Sequence, residues 1–281
     1  MEKKMAISPS QVKELRDLTG AGMMNCKNAL EETNGDIQAA IKVLKEKGLA
    51  AVAKRSERAT NEGRVFLRQV GNKIAAVTQV CETDFVAKND EFIACGEKIL
   101  DLIFEKGYTT VVPELSDVLM TFASKTGENM SIKSVDVIEV PENATVGYYL
   151  HTNFKIGSIV VVNGSADEKL KEFARDCSMA MVLYKPAYFS MDKIPQNIID
   201  EQKEIFKVQM NNDPKDAKKP DNVKENILNG KIKKYFAEQC FVDQALVIDE
   251  KNTVGKKLEE LSKEVGATLS FGDVKLLSLA D

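Results

Sequence analysis

The chain has 281 residues, of which 39 are Lys or Arg and 43 are Asp or Glu, so its formal net charge is −4. This balance excludes a strongly basic protein whose affinity for nucleic acid rests on neutralising phosphates. The single histidine, His151, and the absence of tryptophan leave few groups for acid–base catalysis or for stacking on nucleobases. We therefore expect no direct contact with nucleic acid.

The five cysteines are scattered along the chain and form no C-x-x-C pair. This pattern indicates reduced thiols in a cytoplasmic protein, and neither a disulfide framework nor a zinc site. No apolar run approaches the roughly 18 residues of a membrane span, so no contact with a membrane is expected. The two familiar glycine-rich nucleotide motifs do not occur either, and we expect neither a cofactor nor a resident metal.

Residues 1–50 show the period of three short amphipathic helices. Ser8 is placed to cap the first helix, with Pro9 at its first position, and Gly48 is expected to end the third. Such a module is too small to enclose an active site and is typical of partner binding. Residues 51–61 are predicted to form a partly helical linker.

After the linker the apolar period changes from 3.6 to 2, which predicts an antiparallel hairpin around Gly71-Asn72. This hairpin opens a first core subdomain, predicted over 62–140. Its other predicted elements are two helices that end at Gly107 and Gly127 and a strand over 132–140.

The same plan recurs in the second half, which predicts a related core subdomain over 141–281. A charged helical hairpin over 195–238 interrupts it, and this hairpin is either an arm for oligomerisation or a partner, or a solvated surface element. The other elements predicted here are strands over 145–151, 156–162, 241–248 and 267–274 and helices over 167–185 and 253–264.

Two segments are poorly explained by packing alone. The glycine-rich turn that begins at Thr19 carries Met23 and Met24, which cannot both face the core of so small a module. At least one of them is expected on the surface, where it either contacts a partner or is incidental. The other segment carries Phe85 between a strand and a helix, and full burial of a phenylalanine, worth about 1.5 to 3 kcal/mol, by itself favours the core.

Three segments in this order resemble the signature segments of translation elongation factor Ts: TGAGMMNCKNAL (Thr19 to Leu30), NGDIQAAI (Asn34 to Ile41) and TDFVAKND (Thr83 to Asp90). The resemblance extends over essentially the whole chain. This family is the guanine-nucleotide exchange factor for the GTPase elongation factor Tu. The resemblance implies an α+β protein with a ubiquitin-associated-like N-terminal domain, a core of two related subdomains and a helical hairpin for dimerisation.

The resemblance also implies roles for individual residues. A first set would reach the GTPase near its Mg²⁺ and displace the ion, a second would dock on its nucleotide-binding domain, and His151 would touch another domain. A homodimer or a dimer of 1:1 complexes is implied as well. Asn25 departs from the aspartate usual in the family. The first set is Thr83, Asp84, Phe85 and Val86, and the second is Gly20, Gly22, Met23 and Met24.

Two other classes of function stay open at this stage. The three-helix module could serve an adaptor that recognises a ubiquitin-like or peptide partner. Alternatively, a cysteine could act with His151 in an enzyme, although the sequence shows no cysteine–histidine arrangement nearby. An exchange factor performs no covalent chemistry, and the scarcity of titratable groups favours it over the enzyme.

Overall fold

In the computed structural model of the chain, the described residues are 7–19 and 21–280, without the side chains of 49–53. The fold is α+β, as predicted, and the chain divides into two compact units. Unit 1 runs up to Glu139 and includes Asn153–Lys155 and the end of the chain from Ser278; unit 2 comprises Val140–Thr152 and Ile156–Leu277. Among the described helices, none is long and apolar enough to cross a membrane.

Unit 1 begins with the three predicted helices, α1 (Pro9–Thr19), α2 (Met23–Glu32) and α3 (Ile37–Ala53). Ser8 caps α1 as expected, because its Oγ accepts from the Gln11 N–H (3.3 Å) and the Gln11 side chain accepts from the Ser8 N–H (3.0 Å). The helices pack around a small apolar core made of Val12, Leu15, Cys26, Ala29, Leu30 and Ala40.

The rest of unit 1 is a three-stranded antiparallel sheet, in the order β1-β2-β3, with helices. Its elements are β1 (Glu62–Val70), β2 (Lys73–Cys81), α4 (Asp84–Ala87), α5 (Asp90–Lys106), α6 (Pro113–Thr126) and β3 (Met130–Glu139). Gly71 turns the hairpin with a φ of 59°, in the left-handed region that glycine favours. Gly107 and Gly127 end α5 and α6 in the same conformation, so all three glycine signals are confirmed.

Gly48 does not end α3, contrary to prediction. The helix continues to Ala53 and packs against α6. A Cβ at Gly48 would lie 2.9 Å from the Cβ of Ser124, so this glycine allows the two helices to approach closely. Tertiary packing has overridden the local stop signal.

β2 lies at the centre of the unit 1 sheet, and every residue from Ile74 to Cys81 is buried. The hairpin predicted from the period of 2 is confirmed, but burial in β2 does not alternate. A strand that is paired on both edges and buried on both faces is expected to be mostly apolar along its whole length. β2 delivers the chain directly to the turn that contains Phe85.

Unit 2 contains a second sheet in the order β4-β5-β6, with the predicted antiparallel β4–β5 hairpin. The helix α7 packs on β4 and β5, and Gly147 in β4 allows this approach. The elements are β4 (Ala144–Leu150), β5 (Ile156–Asn163), α7 (Lys169–Tyr184), α11 (Val254–Val265) and β6 (Ser270–Ser278).

The predicted helical hairpin lies between α7 and α11. It consists of α8 (Gln196–Asn212), the short α9 (Pro214–Ala217) and α10 (Asp221–Ala237). α8 and α10 pack against each other. Their buried side chains belong to a separate apolar cluster made of Ile194, Met210, Leu228, Ile232, Phe236 and Cys240.

The strand predicted over 241–248 is absent, and this expectation is wrong. Phe241–Asp243 form a 3-10 turn, and the following backbone bonds to a buried side chain. Asp176 Oδ1 accepts from the N–H groups of Val247 (2.7 Å) and Ile248 (3.0 Å). Because this carboxylate satisfies the backbone donors, the segment needs no neighbouring strand.

Candidate functional site

The segment from Thr83 to Val86 forms a single helical turn at the end of β2. Thr83 is the N-cap of α4, with φ −124° and ψ 153°, and its Oγ1 accepts from the Val86 N–H (3.3 Å). One turn later, Lys88 Nζ donates to Asp84 Oδ2 (2.6 Å). The turn therefore has a local bond at each end.

Phe85 is 83% exposed, the highest exposure among the large apolar side chains described. Val86 packs against the core of unit 1 and Ala87 is buried. The expectation from burial alone, that Phe85 joins the core, is wrong because these two neighbours occupy the inward face of the turn. The aromatic ring is therefore available to another molecule.

Charges close to this turn are biased toward their ionised forms. The hydrogen bond from Lys88 lowers the pKa of the Asp84 carboxyl, and the same contact raises the pKa of Lys88. The pKa of Glu82 is lowered mainly by the backbone N–H of Asn129. At neutral pH the turn thus presents an apolar ring beside an ion pair.

Two residues that the sequence analysis missed support the turn. Glu128 accepts from the Thr83 N–H (3.1 Å) and from Thr83 Oγ1 (2.6 Å). The adjacent Asn129 N–H donates to Glu82 Oε1 (2.6 Å). These partners lie 45 and 47 residues apart in the chain, and no local pattern relates positions so distant.

The N-terminal turn exposes both methionines: Met23 is 49% and Met24 65% exposed. The prediction that at least one lies on the surface is confirmed. Gly22 is the N-cap of α2 in extended backbone, and a Cβ there would meet only Asn25 Nδ2, at 3.8 Å. The fold itself therefore does not require glycine at this position. Gly20 lies outside the described residues.

His151 lies in unit 2, half-buried at the end of β4. Its Nδ1 accepts from the Thr152 N–H (2.8 Å), and its ring stacks on Tyr149 with centroids 6.1 Å apart. In the neutral ring, this hydrogen bond leaves the proton on Nε2. His151 is thus held by contacts of its own, separate from those of the two turns in unit 1.

Three of the five cysteines are unsuited to act as nucleophiles. Burial raises the pKa of the Cys81 thiol to about 12 and of Cys240 to about 11, and it raises the pKa of Cys177 well above its ordinary value. These thiols are protonated at neutral pH. Among the described residues, no three of His, Cys, Asp or Glu are grouped so as to hold a metal ion.

Comparison with known proteins identifies the family. The sequence model of the family Elongation factor TS matches residues 82–273, which include the Phe85 turn. Elongation factor Ts of Treponema denticola is 42% identical over 280 residues, covering 98% of this chain and 99% of that protein. This chain belongs to the elongation factor Ts family.

Other relatives extend the comparison beyond one genus. Elongation factor Ts of Treponema pallidum is 36% identical over 291 residues, covering 98% of this chain and 99% of that protein. The protein of the same name from Clostridium acetobutylicum is 38% identical over 283 residues, covering 95% of this chain and 90% of its own. The resemblance to elongation factor Ts inferred from three short segments is thereby confirmed.

Proposed function

We propose that this chain binds the GDP-bound GTPase elongation factor Tu and releases GDP by displacing Mg²⁺ with the segment Thr83–Val86. Membership in the elongation factor Ts family supports the coarser part of this statement: the chain is a nucleotide exchange factor in translation elongation and catalyses no covalent chemistry. The observation that carries the finer part is the 83% exposure of Phe85 on a turn held at both ends.

An exposed aromatic ring beside a charged side chain is suited to insertion between side chains of a partner, and Phe85 in this role is called the wedge. Phe85 would insert between side chains of the GTPase and shift the groups that hold Mg²⁺ and the β-phosphate, while Asp84 would secure the contact through its charge. A divalent cation is one of the largest local charges in a nucleotide site, so its loss weakens binding of the phosphates. Thr83 and Val86 would anchor this turn to the rest of unit 1, through a hydrogen bond to Glu128 and through packing on the core, respectively.

Weakening the binding of GDP requires more free energy than the burial of one side chain provides. Coupling is reciprocal, so the factor weakens GDP binding as much as GDP weakens binding of the factor. A 10⁴-fold shift corresponds to about 5.5 kcal/mol, whereas burial of one phenylalanine contributes about 1.5 to 3 kcal/mol. Further contacts are therefore part of the proposal, and they involve Gly20, Gly22, Met23, Met24 and His151.

The decisive experiment measures GDP release from elongation factor Tu at increasing concentrations of the factor. Phe85→Ala is expected to lower the rate at saturation by tenfold or more, on the order of 1.4 kcal/mol or above, because the wedge is lost. Leu183→Ala is the matched control, since Leu183 is also an exposed apolar side chain, 60% exposed on α7. With this variant, GDP release from elongation factor Tu should be as fast as with the wild-type factor.

The docking contacts predict a different kinetic change. Met23→Ser combined with Met24→Ser, or His151→Ala, should raise the concentration of factor needed for half-saturation, and each should lower the saturating rate less than Phe85→Ala does. A Phe85→Ala protein that is folded and releases GDP at the normal rate would exclude the wedge.

The helical hairpin adds a proposal about assembly. Ile205, Val208 and Val223 are exposed apolar residues on α8 and α10, and such side chains favour contact with a second protein. This supports a homodimer, or a dimer of 1:1 complexes with elongation factor Tu, formed through the hairpin.

A further inference from the structure

The helical turn that carries Phe85 is too short to maintain its own conformation. α4 has four residues, and so short a helix does not persist alone because nucleation is costly. Phe85 is almost fully exposed and contributes little packing of its own. The direction in which its ring points therefore depends on contacts made by neighbouring residues.

Glu128 provides the strongest of these contacts. Its two carboxylate oxygens accept from the N–H (3.1 Å) and the Oγ1 (2.6 Å) of Thr83, and the same Oγ1 accepts from the Val86 N–H. Hydrogen bonds to an ionised acceptor are roughly twice as strong as neutral ones. One carboxylate thus fixes both the backbone and the side chain of the residue that begins the turn.

Asn129 makes the reciprocal connection. Its N–H donates to Oε1 of Glu82 (2.6 Å), the residue that precedes Thr83. Its side chain is buried, and Nδ2 donates to the carbonyl oxygens of Ser56 (3.2 Å) and Arg58 (2.7 Å). The pair Glu128–Asn129, called the latch below, therefore ties the end of β2 to the segment that follows α3.

We infer that Glu128 is a positioning residue for nucleotide exchange: through the latch it holds Thr83 so that Asp84 and Phe85 are presented in one orientation before the partner binds. The inference rests on the proposed function, in which this turn enters the GTPase. A loop already ordered in its bound conformation loses less entropy on binding. Glu128 acts through Thr83, and its own side chain is engaged within the fold.

The test compares Glu128→Ala with the shape-preserving Glu128→Gln in the full chain. In Glu128→Ala, NMR order parameters of the backbone amides of 84–88 should fall below about 0.6, the range of flexible backbone. GDP release from elongation factor Tu should slow about tenfold, as expected for loss of a hydrogen bond to a charged group. Glu128→Gln keeps one acceptor for Thr83 and should restore an intermediate rate.

A double variant tests whether the effect passes through Thr83. Thr83→Val removes the hydroxyl but keeps the shape of the side chain. It also removes the cap on the Val86 N–H, so Thr83→Val with Glu128→Ala should be slower than either single variant, but by less than the product of the two single effects, because the variants share one hydrogen bond. Glu139→Ala is the matched control, since it removes a surface carboxylate paired with Lys73 (3.2 Å), and both readouts should stay unchanged.

The possible failures are distinguishable. Normal amide order and normal GDP release in Glu128→Ala, with exchange lost in Phe85→Ala, would overturn the inference and leave the proposed function standing. If Phe85→Ala also exchanges normally, the wedge fails, and the amide order of 84–88 alone decides whether Glu128 fixes the turn. If Glu128→Ala does not unfold cooperatively on heating, Glu128→Gln and Thr83→Val carry the same comparison.

Discussion

Asp84 and Lys88 show how the charge at the candidate site is set by its nearest neighbour. They are one helical turn apart and form an exposed ion pair at 2.6 Å, which lowers the pKa of Asp84. A carboxyl whose pKa is lower in the folded state stabilises the fold above its ordinary pKa, and this stabilisation is lost as the pH falls through the lowered value. At neutral pH Asp84 is therefore ionised and paired with Lys88.

Removal of Lys88 is expected to raise the pKa of Asp84 toward its ordinary value. The measurement is a ¹³C NMR titration of the Asp84 carboxyl in the wild-type protein and in Lys88→Ala. Lys171→Ala serves as the control, because it removes a similar exposed ion pair with Glu168 (2.6 Å) on α7, and it should leave the Asp84 titration unchanged. An identical titration of Asp84 in Lys88→Ala would show that the ion pair is not formed in solution.

At some positions a helix and a strand pack closely only because a glycine there has no Cβ. Gly147 in β4 lies under α7, where a Cβ would come within 2.1 Å of the Ala174 carbonyl carbon and 2.2 Å of the Arg175 nitrogen. These are backbone atoms, so the helix and the strand must separate to admit a methyl group. The contrast is Gly230 in α10, where a Cβ would meet nothing within 4 Å.

These two glycines predict changes in stability of opposite sign. Gly147→Ala should lower the free energy of unfolding by about 1 to 3 kcal/mol through overpacking. Gly230→Ala should raise it by up to about 1 kcal/mol, because alanine favours the helix. Urea unfolding of the two variants checks both values, and a loss at Gly230 as large as that at Gly147 would contradict the steric explanation.

At the scale of the whole molecule, the helical hairpin is the element expected to set the oligomeric state. If α8 contributes Ile205 and Val208 to a dimer, Val208→Glu places a charge in that contact and should convert the dimer to a monomer. Light scattering after size-exclusion chromatography measures the mass directly.

The control for the hairpin adds the same charge elsewhere on it. Asn229→Glu changes an exposed position of α10 and should keep the mass of the wild-type protein. A wild-type protein that is monomeric, both alone and with elongation factor Tu, would rule out assembly through this surface.

Most of the element order follows from the sequence because it depends on local chemistry. Glycine adopts the positive φ that ends α5 at Gly107 and turns the first hairpin at Gly71, and few other residues do so without strain. Reciprocal hydrogen bonds between Ser8 and Gln11 likewise act over three residues. Signals of this range are visible in a single sequence.

The sequence by itself therefore determined the α+β class, the two hairpins and the family. Only the tertiary structure decided that α3 passes through Gly48 and that Asp176, in place of a neighbouring strand, binds the backbone near Val247. It also placed Phe85 outside the core, as the family resemblance implied and as local burial arguments did not. Each of these depends on contacts between residues far apart in the chain, as Glu128 is from Thr83. Burial and hydrogen bonding act through space, so the folded chain is needed to reveal which side chain reaches the surface.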